Sequence, residues 1–128
     1  MLPSHDALVA ELSELIAIPS VSADPAHAAD LGRAAEWVAA RIGGAGGEVE
    51  IAERGGRPLV IGEVPASRAG APAMLAYAHL DVQPPDPLDL WDSDPWTLTQ
   101  RDGLLVGRGV ADDKAHLFMN AFRYPSRR

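Results

Sequence analysis

The chain contains Tyr77-Ala78-His79-Leu80-Asp81-Val82 in one cluster and Gly107-Arg108-Gly109-Val110-Ala111-Asp112-Asp113-Lys114 in a second. Between them, residues 83–95 hold four prolines together with aspartate and tryptophan. Proline fixes the backbone and removes hydrogen-bond donors, so this segment is expected to form a stiff, irregular loop. Such a loop can carry the chain from the first cluster to the second, and we therefore expect the two clusters to form parts of one site.

The first cluster places a histidine and an aspartate on one side of the chain. His79 and Asp81 follow a short apolar run at residues 73–78, and side chains two positions apart in a strand project to the same side. If one ring nitrogen of His79 binds a metal, Asp81 can accept the N–H of the other nitrogen and fix the tautomer. The alternative is a core histidine satisfied by a nearby aspartate, which explains the pair equally simply.

The second cluster combines glycines with two adjacent carboxylates. Gly107 and Gly109 allow close backbone approach to an ion. Asp112 and Asp113 repel each other unless a cation is near, and a carboxylate that bridges two divalent ions explains both features. In the alternative, Lys114 neutralises one carboxylate at an ordinary solvated helix start, where acidic residues are favourable.

The region before the clusters is predicted to be scaffold. Residues 4–17 have helical apolar spacing, with Ser4 as N-cap and Pro19 beyond the end. A second helix is predicted from near Pro25 to the pair Gly43-Gly44. The apolar positions of the two helices are Leu8, Leu12, Leu15 and Ile16, then Leu31, Ala35, Val38 and Ile42.

Several short segments are predicted to be strands. Residues 48–53 alternate polar and apolar, and residues 58–62 and 73–78 are continuous apolar runs of the kind that suits strands covered on both faces. Asp102-Gly103 between two apolar runs predicts a hairpin. Helices followed by such strands indicate the α/β class, with two helices and then a mixed, mainly buried sheet.

Composition excludes several functional classes. A net charge of -7 and a pI near 4.9 disfavour nucleic acid and anionic membranes as partners. The chain has no cysteine, so disulfides, thiolate metal sites and cysteine nucleophiles are excluded. No signal peptide or membrane-spanning run is visible, and a cytoplasmic location is expected.

The motifs together resemble a known family. Residues 77–85, the Trp91 to Trp96 segment, Asp102-Gly103 and residues 107–114 are similar, in this order, to the N-terminal catalytic segment of the M20 peptidase family. That family comprises zinc-dependent dipeptidases of the carnosinase type, carboxypeptidases, aminoacylases and deacylases. The residues 82–85 and the tryptophan-rich loop favour the dipeptidase branch, with N-acyl amino acid deacylase as the alternative.

The resemblance implies roles for individual residues. His79 is a metal ligand, Asp81 is a catalytic residue that orients His79, and Asp112 bridges two metal ions, with a cis peptide bond after it. Asp113, Lys114, Gly107 and Gly109 are supporting residues. The implied cofactor is two Zn²⁺ ions, with Mn²⁺ or Co²⁺ also possible, and the implied substrate of the parent protein is a small peptide or an N-acyl amino acid.

The resemblance also implies that parts of the site are missing. The family's Glu-Glu pair, which supplies a general base and a ligand, is expected after Asp112, but no glutamate follows Glu63. The resemblance also implies a distal histidine and a lid or dimerisation domain, by which the parent could form a homodimer, and these too are absent. Residues 1–128 are thus expected to be a partial catalytic domain, ending at a fragment boundary or frameshift and inactive alone. A non-catalytic remnant with little metal binding and an unrelated α/β domain with a chance motif are the alternatives.

Overall fold

A computed structural model describes residues 3–122, with side chains described through residue 120. The α-helices are α1 (His5–Ile16), α2 (Ala28–Gly44) and α3 (Ala115–Phe122), and the strands are β1 (Glu48–Arg54), β2 (Arg57–Glu63), β3 (Thr99–Arg101) and β4 (Leu104–Val106). Short 3₁₀ turns occur at Pro25–His27 and Leu88–Leu90. Residues Val110–Lys114 form a kinked turn, in which Asp112 has non-helical φ and ψ values of -146° and 93°. The predicted α/β class is confirmed. The fragment boundary or frameshift expected at the end of the chain lies outside the described range.

The first two helices form as the sequence predicts. The Ser4 hydroxyl caps α1 by accepting a hydrogen bond of 3.2 Å from the Ala7 main-chain nitrogen. The 3₁₀ turn at Pro25–His27 leads directly into α2, which ends at Gly44. None of the described helices has both the length and the apolarity needed to cross a membrane.

The core lies where α1 meets the other two helices. One cluster joins Leu12 and Ile16 of α1 to Phe118 of α3. A second cluster joins Leu15 and Ile18 to Ala34 of α2. Helix α1 is therefore the central packing element, and its C-terminal end is held between α2 and the segment of residues 107–118.

The strands form two separate antiparallel hairpins. Strand β1 pairs with β2 and strand β3 pairs with β4. The second hairpin turns at Asp102 and Gly103, whose φ values are 53° and 78°. Two positive φ values in a two-residue loop match the twist of the flanking strands, and the predicted Asp-Gly hairpin is confirmed.

The burial expected for the sheet is not found among the described residues. Strand β1 buries only Ala52. Residues 73–78 form no strand at all, and Leu75 and Tyr77 are 94% and 87% exposed. An apolar run indicates that a segment is suited to burial but does not specify what covers it, and no described element covers residues 73–77. Parallel pairing in this region is limited to one bridge, between Val21 and Val82.

Candidate metal centre

The first cluster is positioned by the segment that follows α1. The Val82 main-chain nitrogen donates to Ser20 O at 2.9 Å, and the Ser20 hydroxyl donates to Leu80 O at 2.7 Å. Ser20 is fully buried. Ser20 thus donates one hydrogen bond and accepts another, and together they fix the main chain at Leu80 and Val82, on both sides of Asp81.

Two glycines help to position the second cluster, residues 107–114. Gly109 has a φ of 88°, and a Cβ at this position would lie 2.7 Å from Val82 Cγ1. The position therefore requires glycine, both for its backbone conformation and for the close approach of the first cluster. At Gly107, a Cβ would lie 3.1 Å from Ile16 Cγ2, so this glycine also allows tight packing.

Lys114 is fully buried and does not pair with the acidic residues beside it. Its Nζ donates to Leu15 O at 2.9 Å and to Ile18 O at 2.5 Å. The alternative interpretation, in which Lys114 neutralises Asp112 or Asp113, is not supported, because the Lys114 side chain points towards the end of α1. Lys114 instead anchors the second cluster to the core.

His79 lies at the point where the two clusters meet. Its Nε2 is 2.9 Å from Asp112 Oδ1. Its Nδ1 is 3.1 Å from the main-chain oxygen of Asp81 and 3.2 Å from Asp81 Oδ1. The structure therefore brings His79, Asp81 and Asp112 together, with one acidic residue at each ring nitrogen.

Asp113 contacts a different part of His79 from Asp112. One oxygen of Asp113 accepts a hydrogen bond of 3.1 Å from the main-chain nitrogen of His79, and the other is 2.8 Å from His116 Nδ1. The peptide bond between Asp112 and Asp113 is cis, as the resemblance implied. His116 is paired with Asp113 and has no contact with His79 among the described interactions.

The electrostatics of the site follow from these contacts. Partial burial lowers the pKa of the His79 imidazole, but the hydrogen bond to Asp112 and the contacts to Asp81 outweigh it, so the pKa lies above its usual value of 6.5. Burial lowers the pKa of Lys114 to about 8, and the negative charge of Asp30 opposes this shift.

The donor set suits a divalent metal but is small. Imidazole nitrogen and carboxylate oxygen are ordinary zinc ligands, and an imidazole whose other nitrogen faces a carboxylate has the usual arrangement of a metal-binding histidine. Within residues 3–122, however, no group of three or more candidate side chains converges on one point. The described residues therefore fit part of a metal site.

Sequence reasoning missed Ser20 and Ser22. The Ser22 hydroxyl donates a short hydrogen bond to Asp81 Oδ2. The available signal was the alternation Pro19-Ser20-Val21-Ser22 after a helix, which puts two hydroxyl groups on one side of an extended segment.

Comparison with known proteins agrees with the fold and the motifs. Residues 75–123 match the group described as Peptidase family M20/M25/M40. The succinyl-diaminopimelate desuccinylase of Bordetella pertussis is 41% identical over 107 residues, covering 83% of this chain and 26% of that protein. The cysteinylglycine-S-conjugate dipeptidase of Corynebacterium striatum is 35% identical over 120 residues, covering 94% of this chain and 26% of that protein.

A solved structure shows the same similarity in three dimensions. Human carnosine dipeptidase 1 matches with a TM-score of 0.80 and 32% sequence identity, over 92% of this chain and 28% of that one. The chain thus spans about a quarter of the length of the curated relatives it matches. The motif order, the sequence identity and the shared fold together show that the chain belongs to the peptidase family M20/M25/M40.

Proposed function

We propose that this chain is part of a metal-dependent hydrolase of peptide or amide bonds, and that residues 1–128 supply one part of its catalytic domain. The observation that carries the proposal is the position of His79, which has Asp81 at Nδ1 and Asp112 at Nε2. Two segments more than 30 residues apart in sequence are folded so that these atoms meet.

His79 Nε2 and the Asp112 carboxylate would hold the metal, in keeping with the two-ion site that the family resemblance implies. Zn²⁺ fits this nitrogen and oxygen set, and Mn²⁺ or Co²⁺ are alternatives. When bound, the metal supplies polarisation of the scissile carbonyl and a water of lowered pKa.

The remaining residues hold these ligands in place. Asp81 keeps a proton on His79 Nδ1, so that Nε2 presents its lone pair. Asp113 accepts from the His79 main chain, and Lys114 ties the Asp112 loop to α1. Gly109 and Gly107 allow the close packing that these contacts need.

For the substrate, we propose a small dipeptide. The similarity to a dipeptidase over 94% of this chain supports this choice. Hydrolysis of an N-acyl amino acid is the second candidate, and the higher identity of 41% to a desuccinylase supports it. Both reactions break an amide bond, so one metal centre serves either.

We further propose that the general base and the remaining ligands come from chain outside these 128 residues. This chain matches only 26% of the length of each relative, and the described residues bring together two ligands where a catalytic zinc normally has three. A cytoplasmic location and a homodimeric parent belong to the same proposal. The competing possibility is a non-catalytic remnant, which the small donor set also accommodates.

Complementation tests the proposal. The 128-residue chain is mixed with the C-terminal three quarters of the C. striatum dipeptidase, and hydrolysis of a dipeptide and of an N-succinyl amino acid is measured with Zn²⁺ or Mn²⁺. We expect activity in the mixture and none in either piece.

Variants and a positive control make the test specific. His79→Gln and Asp112→Asn should abolish the activity, whereas His116→Gln should retain it. The two pieces of the C. striatum enzyme itself provide the positive control. If those pieces recombine into an active enzyme and the mixture with this chain remains inactive, the hydrolase proposal fails for this polypeptide.

A further inference from the structure

The Asp81 carboxylate is held at both of its oxygens. Oδ1 lies 3.2 Å from His79 Nδ1, and Oδ2 accepts a short hydrogen bond from the Ser22 hydroxyl. A hydroxyl donor to an ionised carboxylate makes a charge-assisted hydrogen bond, which is stronger than a neutral one. Because the Asp81 side chain is 37% exposed, water competes for the same oxygens, and the hydroxyl is what selects one orientation.

Ser22 is itself fixed from two directions. The preceding residues Ser20 and Val21 are joined to the first cluster by the Ser20 hydrogen bonds and by the bridge from Val21 to Val82. The main-chain oxygen of Ser22 accepts a hydrogen bond from Arg57 Nη1 on β2. The hydroxyl is thus presented to Asp81 by a segment that is held on both sides.

We propose that Ser22 is a positioning residue, which orients the Asp81 carboxylate and through it keeps the proton of neutral His79 on Nδ1. The consequence for metal binding rests on the function proposed above, since it requires Nε2 to be the ligand atom. The effect on the His79 tautomer does not rest on that function, because it is a competition between contacts within the chain. Nδ1 faces the carboxylate and the main-chain oxygen of Asp81, whereas Nε2 faces the Asp112 carboxylate at 2.9 Å, which favours a proton on Nε2.

The tautomer is read directly from imidazole ¹⁵N chemical shifts. They are measured on the 128-residue chain at a pH where the ring is neutral, with the His79 signal assigned from its loss in His79→Gln. We expect a measurable Nδ1–H fraction in the native chain, in competition with the Nε2–H form that Asp112 favours, and a severalfold lower Nδ1–H fraction in Ser22→Ala. Asp81→Asn should have the same effect, with no further change in the double variant, because the two residues act in one chain of contacts.

Matched variants separate positioning from a general structural role. Thr97→Ala removes a hydroxyl that donates to the Asp94 carboxylate, away from the described contacts of Asp81 and His79, so it should leave the tautomer as in the native chain. Ser22→Thr keeps the hydroxyl and should restore the native tautomer. If Ser22→Ala does not fold, Ser22→Cys preserves the shape with a weak donor and should give the same shift. A native tautomer in a folded Ser22→Ala or Ser22→Cys chain overturns the proposal.

A zinc titration distinguishes failure of this proposal from failure of the proposed function. Residues that support a metal-binding histidine typically change affinity by about 10-fold to 100-fold, and we expect about a 10-fold loss for Ser22→Ala. A shifted tautomer with unchanged zinc binding supports Ser22 as the positioning residue and contradicts His79 as a ligand. An unshifted tautomer contradicts the role of Ser22, whatever the zinc affinity.

Discussion

Lys114 Nζ donates a hydrogen bond of 2.9 Å to the main-chain oxygen of Leu15, which lies 99 residues earlier in the chain. A second bond joins the same nitrogen to Ile18 O. These oxygens lie at the C-terminal end of α1, where the helix dipole favours a positive charge. The loop that carries Asp112 is therefore anchored to the central helix of the core by one side chain.

Removing this anchor should destabilise the fold. We expect Lys114→Met to lower the free energy of unfolding by about 2 kcal/mol, because two buried carbonyl oxygens lose a donor. The loss is limited because Leu15 O and Ile18 O keep main-chain donors from Ile18 and Ser20. Urea unfolding followed by circular dichroism measures the difference. Arg68→Met, at an exposed loop position, is the control and should change stability by less than about 0.5 kcal/mol. Equal stability of the two variants would contradict the anchoring role.

The buried amine should also give the stability a specific pH dependence. The pKa of Lys114 is lowered from 10.5 to about 8 in the folded chain. Between these values the unfolded chain holds a proton that the folded chain has released, so the free energy of unfolding rises with pH, by at most about 3 kcal/mol. Below about pH 8 both states are protonated and the term is constant. Unfolding of the native chain and of Lys114→Met from pH 7 to 11 isolates the effect, and parallel curves would show that Lys114 does not titrate in this way.

Chemical labelling can test the burial of Lys114 without a substitution, because it is the only lysine in the chain. Its relative exposure is 0%. Acetylation under native conditions should therefore modify the N-terminal amine alone, whereas acetylation in urea should modify two amines. Intact-mass measurement counts the groups added. Rapid addition of a second acetyl group to the native chain would mean that Lys114 is accessible.

Gly109 should be intolerant of any side chain. Its φ of 88° is unfavourable for other residues, and an added Cβ would lie 2.7 Å from Val82 Cγ1. We expect Gly109→Ala to cost about 2 to 3 kcal/mol in unfolding free energy. Gly32→Ala is the matched control, because Gly32 lies inside α2 with no atom within 4 Å of an added Cβ, and alanine there should stabilise by up to about 1 kcal/mol. The interpretation of Gly109 is wrong if thermal unfolding shifts by the same amount in both variants.

The sequence predicted those parts of the fold that depend on local pattern. The Ser4 cap, the span of α2 and the Asp102-Gly103 turn each involve residues close together in the chain, so their spacing is enough to place them. Burial of residues 58–62 and 73–78 depends on which other element covers them. That information is not contained in an apolar run. Ile42 of α2 packs against Gly62 of β2, whereas no described element covers residues 73–77.

The same distinction applies to the candidate site. His79, Asp81 and Asp112 were identified from motif order, and the structure brings them together. The alternative interpretation paired Lys114 with a neighbouring carboxylate, but the side chain reaches α1, because the end of the helix offers carbonyl oxygens inside the core. Ser22 lies 59 positions from Asp81, and no local pattern connects two residues at that separation.

Calorimetric titration with Zn²⁺ tests the central claim most directly. We predict a single weak binding event for the native chain and for His116→Gln, and no such event for His79→Gln or Asp112→Asn. The His116 variant removes an imidazole that pairs with Asp113 and so controls for nonspecific loss of a histidine. Zinc binding that is the same in all four proteins would contradict the assignment of His79 and Asp112 as metal ligands.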